Sequence, residues 1–481
     1  MNEPSRTGAA ADDVHRVAQP QLRGDLRVAV AFRREFSDWR LWLGRAIVIA
    51  AAVAAGLTVV GFTWLTERAL ELFFALRTAW WWAPLAWTPL CAGAVVWLTR
   101  RHFPGASGSG IPQVMAAVDP SVRLQDRGLF VSVKLSIGKI ILTAWGLLAG
   151  LSLGREGPSV QIAAGVMHAA RTWLPRRAAV TEHGLLVAGG AAGIAAAFNT
   201  PLAGVMFAIE ELSRKPEQRS SGLLIAGILL AGLVAVSVYG NSTYFGVIRV
   251  VDFGLSLFWP GVLVALCAGL AGGTFARLLI STLGGLSNDG LSRWRATRPV
   301  MFAMGCGLAV AVIGIVTEGA TFGSGYAYTR SMLEGGQAVP AVYVVLKFIA
   351  TWVSACSGVP AGIFAPSLAI GAALGNDIAL LTHYPHAATL IALGMAGFLA
   401  AATQAPLTSF IIVMEMVDGH GMVLSLMACA LIASGVSRVL TRPLYATLAQ
   451  LQLDRLPRND VTPAGNDVPG PLPPGQAGSA P

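Results

Sequence analysis

Long apolar runs constrain this chain more than any other feature. Ala46–Leu65, Trp82–Trp97, Leu129–Leu153, Leu223–Val238, Leu257–Leu283, Val300–Val316 and Val342–Ala355 are apolar almost throughout. Several are near or above the roughly 20 residues that a bilayer core requires. In lipid, every backbone N–H and C=O must find a partner within the protein, so such runs form helices. Only 12% of the 481 residues are charged, and mean hydropathy is +0.63. A soluble domain carries about twice that charged share. The expected fold is all-α, a polytopic membrane protein embedded in a lipid bilayer.

A net charge of +9 could point to nucleic acid, but the basic residues lie where membrane topology puts them. Arg33, Arg34, Arg40 and Arg45 precede the first run, Arg100 and Arg101 follow the second, and Arg438 and Arg442 follow the last apolar stretch. Such residues mark cytoplasmic loops. Two crossings between Arg45 and Arg100 return the chain to the same side, which puts both termini in the cytoplasm. Arg214, Lys215 and Arg219 are expected on that side too. Residues 1–40 read as a cytosolic arm without a signal peptide. The Pro- and Gly-rich tail, 459–481, reads as disordered and too short for a regulatory domain. The cysteines Cys91, Cys267, Cys306, Cys356 and Cys429 sit in apolar surroundings without metal-ligand spacing and read as small buried hydrophobes, with no disulfide expected. His383 and His386 flank Pro385 and read as loop residues. No metal and no cofactor are expected.

The chain also repeats itself. Ala195-Ala196-Ala197-Phe198-Asn199-Thr200-Pro201-Leu202 matches Ala400-Ala401-Ala402-Thr403-Gln404-Ala405-Pro406-Leu407, an offset of 406 − 201 = 205. Nine residues after each proline comes a glutamate, Glu210 and Glu415. Upstream, Gly154-Arg155-Glu156-Gly157-Pro158-Ser159 matches Gly362-Ile363-Phe364-Ala365-Pro366-Ser367, an offset of 366 − 158 = 208. Two motif pairs in one order at nearly one offset divide the membrane portion into repeats, 41–240 and 255–440. A C-terminal helix, 441–458, follows. Transporters built this way bind substrate between their halves, near the midplane. The repeats are expected to be inverted.

Three segments carry Gly and Pro where a helix would begin: Gly108-Ser109-Gly110-Ile111-Pro112, Gly154 to Pro158, and Gly362 to Pro366. Proline is tolerated in a first helical turn because its missing N–H costs nothing there. Each segment leaves free N–H groups at a helix start, which carries roughly +0.5 charge and binds anions without a formal cation. Such binding suits an anion that must also leave.

These three motifs, in this order, resemble the anion-pathway signatures of the CLC chloride channel and transporter family, and the likeness runs from about residue 41 to 451. The resemblance implies roles residue by residue. Ser109 is similar to the serine whose hydroxyl coordinates the central chloride. Glu156 is similar to the gating glutamate, whose carboxylate competes with chloride for one amide cradle and swings away when protonated. Ile363 and Phe364 would offer backbone N–H groups to chloride. Tyr445, in Arg442-Pro443-Leu444-Tyr445, resembles the tyrosine that reaches the central anion from the cytoplasmic side, which implies that the C-terminal helix, 441–458, is pore-facing. Intramembrane carboxylates are costly and read as functional by default. An Arg155–Glu156 salt bridge competes as a reading of Glu156, but adjacent residues on a helix face apart.

The family contains passive channels and proton-coupled exchangers. Exchangers of the family carry a second glutamate toward the cytoplasm. Here that position is Glu211, 211 − 156 = 55 residues after the first. Glu210 and Glu415 read as structural. Lys139 reads either as a source of positive potential for anions or as a snorkelling or paired lysine. The resemblance thus implies a chloride/proton antiporter of a bacterial plasma membrane, assembled as a homodimer. A passive chloride channel is the alternative. The fluoride-exporting branch departs from the Gly-Ser-Gly-Ile-Pro pattern. An intramembrane enzyme would need a base near Ser109, and His102 follows Arg100 and Arg101 at a helix end, so no enzyme is expected.

Overall fold

The structure, a computed structural model, describes residues 39–175, 180–213, 221–240, 244–245, 255–285, 290–335 and 340–456. The N-terminal arm before Trp39, the cluster Arg214, Lys215 and Arg219, and the tail 459–481 lie outside the described residues.

The first half contains α1 (Trp39–Ala79), α2 (Ala83–His102), α3 (Ile111–Val118), α4 (Val133–Leu148), α5 (Glu156–Ala169), α6 (Glu182–Phe198), α7 (Pro201–Phe207) and α8 (Ser221–Tyr239). The second contains α9 (Phe258–Gly284), α10 (Gly290–Thr297), α11 (Pro299–Val316), α12 (Tyr326–Leu333), α13 (Val342–Cys356), α14 (Phe364–Leu381), α15 (Ala387–Thr403), α16 (Pro406–Met416) and α17 (Val423–Leu440). Helix α18 (Leu444–Leu453) closes the chain. No strand occurs among the described residues. Seven helical stretches there are long and apolar enough to cross a membrane. Helix α1, with 41 residues, is roughly 60 Å long at 1.5 Å per residue, about twice a bilayer core. Exposed Trp39 and Trp42 mark its first end, and Trp80, Trp81 and Trp82 mark the turn after it, where amphipathic rings favour the membrane–water interface.

The repeat extends beyond the two motif pairs. Gly323-Ser324-Gly325 precedes α12 as Gly108-Ser109-Gly110 precedes α3, at an offset of 323 − 108 = 215. Lys347 of α13 corresponds to Lys139 of α4. Both lysines are fully buried, and each clamps its own Gly-Ser-Gly loop. Lys139 Nζ donates to the Ala106 and Gly108 carbonyls at 2.7 and 2.6 Å. Lys347 Nζ donates to the Thr321 and Gly323 carbonyls at 2.9 and 2.8 Å. Asn199 and Gln404, which end α6 and α15, both adopt the left-handed conformation.

Helices α7 and α16 show that the halves are inverted. Glu210, just past the end of α7, accepts the Leu407 and Thr408 N–H groups at the start of α16, at 3.0 and 2.6 Å. Glu415, at the end of α16, accepts the Leu202 and Ala203 N–H groups at the start of α7, at 3.2 and 2.8 Å. Two helices can cap each other in this way only if they run antiparallel. The core of each half is a helix of small residues: α6 and α15 are buried along nearly their whole length, and Gly and Ala let neighbouring backbones approach closely.

Candidate functional site

The breaks before α5 and α14 are bonded directly to each other. Gly154 N–H donates to the Gly362 carbonyl and Gly362 N–H donates to the Gly154 carbonyl, both at 2.8 Å, as an isolated antiparallel bridge. The third break joins them through Ala361 N–H, which donates to the Gly108 carbonyl at 3.2 Å. The starts of α3, α5 and α14 therefore meet at one buried point, drawn from both halves. Gln113 in the first turn of α3 tightens its loop: its Oε1 accepts Gly110 N–H at 2.9 Å, and its amide nitrogen donates to the Ser107 carbonyl.

Glu156 lies at this junction, 1% exposed. Its carboxylate accepts the Ala365 N–H of α14 at 3.4 Å and faces the backbone amides of Arg155 and of Glu156 itself. A carboxylate held by amides at two helix starts occupies an anion cradle built by both repeats. The motif glycines permit the crowding. A β-carbon on Gly154 would collide with the Glu156 carboxylate and come within 3.0 Å of Pro366 Cδ. One on Gly157 would collide with the Ser109 hydroxyl and come within 3.3 Å of Gly362 Cα.

Beside the cradle, Ser109 Oγ and Tyr445 Oη are both buried and make no hydrogen bond to protein. They are close enough to interact with each other, and the Tyr445 ring stacks on Phe364 at 6.0 Å and 18°. Buried hydroxyls normally find partners. Two that converge without one, beside helix starts and with Lys139 bound behind the Ser109 loop, fit a small monovalent anion. Ile363 and Phe364 are 5% and 2% exposed. Their N–H groups belong to the first turn of α14, which has no intrahelical acceptors.

Glu211 sits in a single π-turn, residues 208–212, that extends α7. Such turns cluster at functional sites. This one sends adjacent carboxylates to different tasks: Glu210 caps α16, and Glu211 lies within electrostatic reach of Tyr445. A cavity of about 950 Å³ opens from Glu156, lined among others by Glu67, Arg155, Tyr244, Tyr326 and Glu415.

The structure brings Ser109, Glu156, Ile363, Phe364 and Tyr445 together, with Gly108, Gly110, Pro112, Gly154, Gly157, Pro158, Gly362 and Pro366 shaping the three helix starts. Arg155 does not pair with Glu156. Its guanidinium donates to Glu67 at 2.8 Å, to the Thr63 carbonyl at 3.3 Å and to the Tyr244 hydroxyl at 3.2 Å. Glu67 and Tyr244 lie in no motif. The second Gly-Ser-Gly is visible in sequence as a continuation of the repeat, 323 − 108 = 215 residues after the first.

Residues 90–438 match the model of the family described as Voltage gated chloride channel. The chain belongs to that family. Within the voltage-gated chloride channel family, curated relatives include the H(+)/Cl(-) exchange transporter ClcA of Salmonella paratyphi A (strain ATCC 9150 / SARB42) and that of Salmonella typhi. Each is 29% identical over 408 residues, spanning 80% of this chain and 83% of the relative. Among solved structures, a slow cyanobacterial Cl-/H+ antiporter matches with a TM-score of 0.73 at 25% identity, over 86% of this chain and 98% of its own. A CLC-type fluoride/proton antiporter shares the fold, with a TM-score of 0.68 at 21% identity over 85% of this chain and 97% of its own. The matched region contains all three helix-start motifs. Tyr445 falls beyond it.

Proposed function

We propose that this protein exchanges chloride for protons across a membrane. The observation that carries this reading is Glu156, a carboxylate seated in an amide cradle beside two unpartnered buried hydroxyls. Chloride and carboxylate are both monovalent anions, so they compete for the cradle. Protonation cancels the carboxylate's attraction to the amides, frees it to move into the cavity and lets chloride enter. Each departure and return of Glu156 then ties a proton to an anion. Ser109, Tyr445 and the N–H groups of Ile363 and Phe364 hold the central chloride. Helix starts and hydroxyls bind it weakly enough for release, as a conducting site requires.

Glu211 passes protons between the cytoplasm and Glu156. Its electrostatic contact with Tyr445 supports this placement, as do the relatives named as H(+)/Cl(-) exchangers. The arginine pattern orients Arg45, Arg100 and Arg438 toward the cytoplasm and the Glu156 cavity outward, in a bacterial plasma membrane. Two copies assemble into a homodimer. The α7 and α16 surface supports this, with Leu202, Ile209 and Leu407 exposed at 52%, 49% and 37%.

Parallel chloride and proton flux measurements on protein in liposomes test the reading. Glu156→Gln keeps chloride flux and abolishes proton flux, and Glu211→Gln abolishes proton flux alone. Proton movement that persists in Glu156→Gln refutes the coupling.

A further inference from the structure

The segment between α8 and α9 is pinned to the second repeat at Tyr244 and Phe245. Phe245 N–H donates to the Met416 carbonyl at 3.0 Å, and the Tyr326 hydroxyl donates to the Tyr244 carbonyl at 2.8 Å. The rings lock together, with Tyr244 4.9 Å from Tyr326 and 5.0 Å from Phe245, and Phe245 5.2 Å from Tyr326. The Tyr244 side chain instead reaches into the first repeat. It packs edge-on against Phe198 at 6.1 Å, and its oxygen accepts from Arg155, the residue before Glu156. Arg155 is held in turn by Glu67 of α1. Tyr244 is thus fixed by one half and bonded to the other.

Tyr244 and Glu156 line the same cavity, and the phenol interacts electrostatically with both Arg155 and Glu156. A phenol oxygen that accepts from Arg155 keeps its own O–H proton to donate. The Glu156 carboxyl leaves the cradle protonated and gives up its amide donors, and a polar oxygen moved without a replacement partner pays a large penalty. Turnover requires the two positions of the carboxyl group to be close in free energy, so its carbonyl oxygen needs a donor in the outward position.

We propose that Tyr244 is the donor that receives the Glu156 carboxyl group in its outward position, its hydroxyl donating to the carboxyl oxygen beside the Arg155 guanidinium. The inference rests on Glu156 being a mobile gate, and is independent of whether protons are coupled.

Chloride flux from liposomes, compared across four proteins, tests it: wild type, Tyr244→Phe, Glu156→Ala and the double variant. Phenylalanine keeps the ring contacts and removes only the hydroxyl. Tyr244→Phe slows chloride flux about two- to tenfold, the equivalent of one hydrogen bond. With Glu156→Ala the side chain to be received is gone, and the ratio of fluxes with and without the hydroxyl returns to about one. Equal slowing in both backgrounds would make Tyr244 a wall of the cavity and overturn the proposal, as would unchanged flux in Tyr244→Phe alone. If Glu156→Ala left chloride flux at the wild-type rate and still coupled to protons, the gate reading itself would fail, and this inference with it.

Discussion

Glu210→Ala removes the carboxylate that fills the start of α16. Two amides lose their acceptor, Leu407 N–H at 3.0 Å and Thr408 N–H at 2.6 Å. Hydrogen bonds to a charged group are worth about 1.5–3 kcal/mol each when the partner amides stay dry. Glu210 is half-buried, so water recovers part of that, and truncating a helix cap costs about 0.5–2 kcal/mol in measured cases. We expect a loss of about 2 kcal/mol. Glu210→Gln keeps an acceptor oxygen and loses only the charge facing the helix dipole, about 0.3–1 kcal/mol. Glu415→Ala removes the mirror-image cap at 3.2 and 2.8 Å and carries the same cost. The two caps lie roughly 12 Å apart along α7 and the π-turn that extends it, eight residues from Leu202 to Glu210 at about 1.5 Å each, and share no partner, so the double variant loses about 4 kcal/mol by addition. Unfolding in mixed micelles at rising dodecyl sulfate, followed by tryptophan fluorescence, measures this. A double variant within about 1 kcal/mol of wild type, or Gln as damaging as Ala, would refute the reciprocal-cap reasoning.

Ser109→Ala and Tyr445→Phe each weaken chloride binding about two- to tenfold, one lost hydrogen bond apiece, measured by calorimetric titration with chloride. Gly157→Ala abolishes chloride flux while the protein remains folded by gel filtration, because its β-carbon falls on the Ser109 hydroxyl. Lys139→Met lowers chloride affinity several-fold more than Lys347→Met: both free two carbonyls, but only Lys139 clamps the loop that carries Ser109. Equal effects of the two lysines on chloride titrations would show that the Lys139 clamp does not shape the anion site.

The lipid-facing part of this fold was legible in hydropathy. The long runs became α1, α2, α4, α8, α9, α11 and α13. Helices α6 and α15 were less visible, because a helix buried inside protein can be short and rich in Gly and Ala. At the site, helix-start chemistry marks the Gly and Pro positions, and the resemblance of their motifs to those of the CLC family is what singles out Ser109, Glu156, Ile363, Phe364 and Tyr445. Residues that meet only through the tertiary fold left no such trace. Arg155 finds Glu67 88 residues away, and Tyr244 reaches the site from the connection between repeats. Lys139 was recognised as a basic residue near the pathway, but its clamp on two carbonyls depends on how the loop after α2 folds back. The second Gly-Ser-Gly escaped notice because Tyr326-Ala327 replaces the Ile111-Pro112 that made the first copy conspicuous. Glu210 and Glu415 were paired by the repeat, and only the antiparallel packing of α7 on α16 showed each one capping the other's helix.

The central claim is that chloride and proton movements are tied through Glu156. The direct test uses purified protein in liposomes with a chloride gradient, no pH gradient, and the voltage clamped by valinomycin and potassium at a value that opposes proton movement. The account predicts that the chloride gradient drives protons against that voltage, and that Glu156→Gln abolishes the effect. Chloride flux with no accompanying proton movement would contradict it, leaving a passive chloride pathway in which Glu211 serves no transport step.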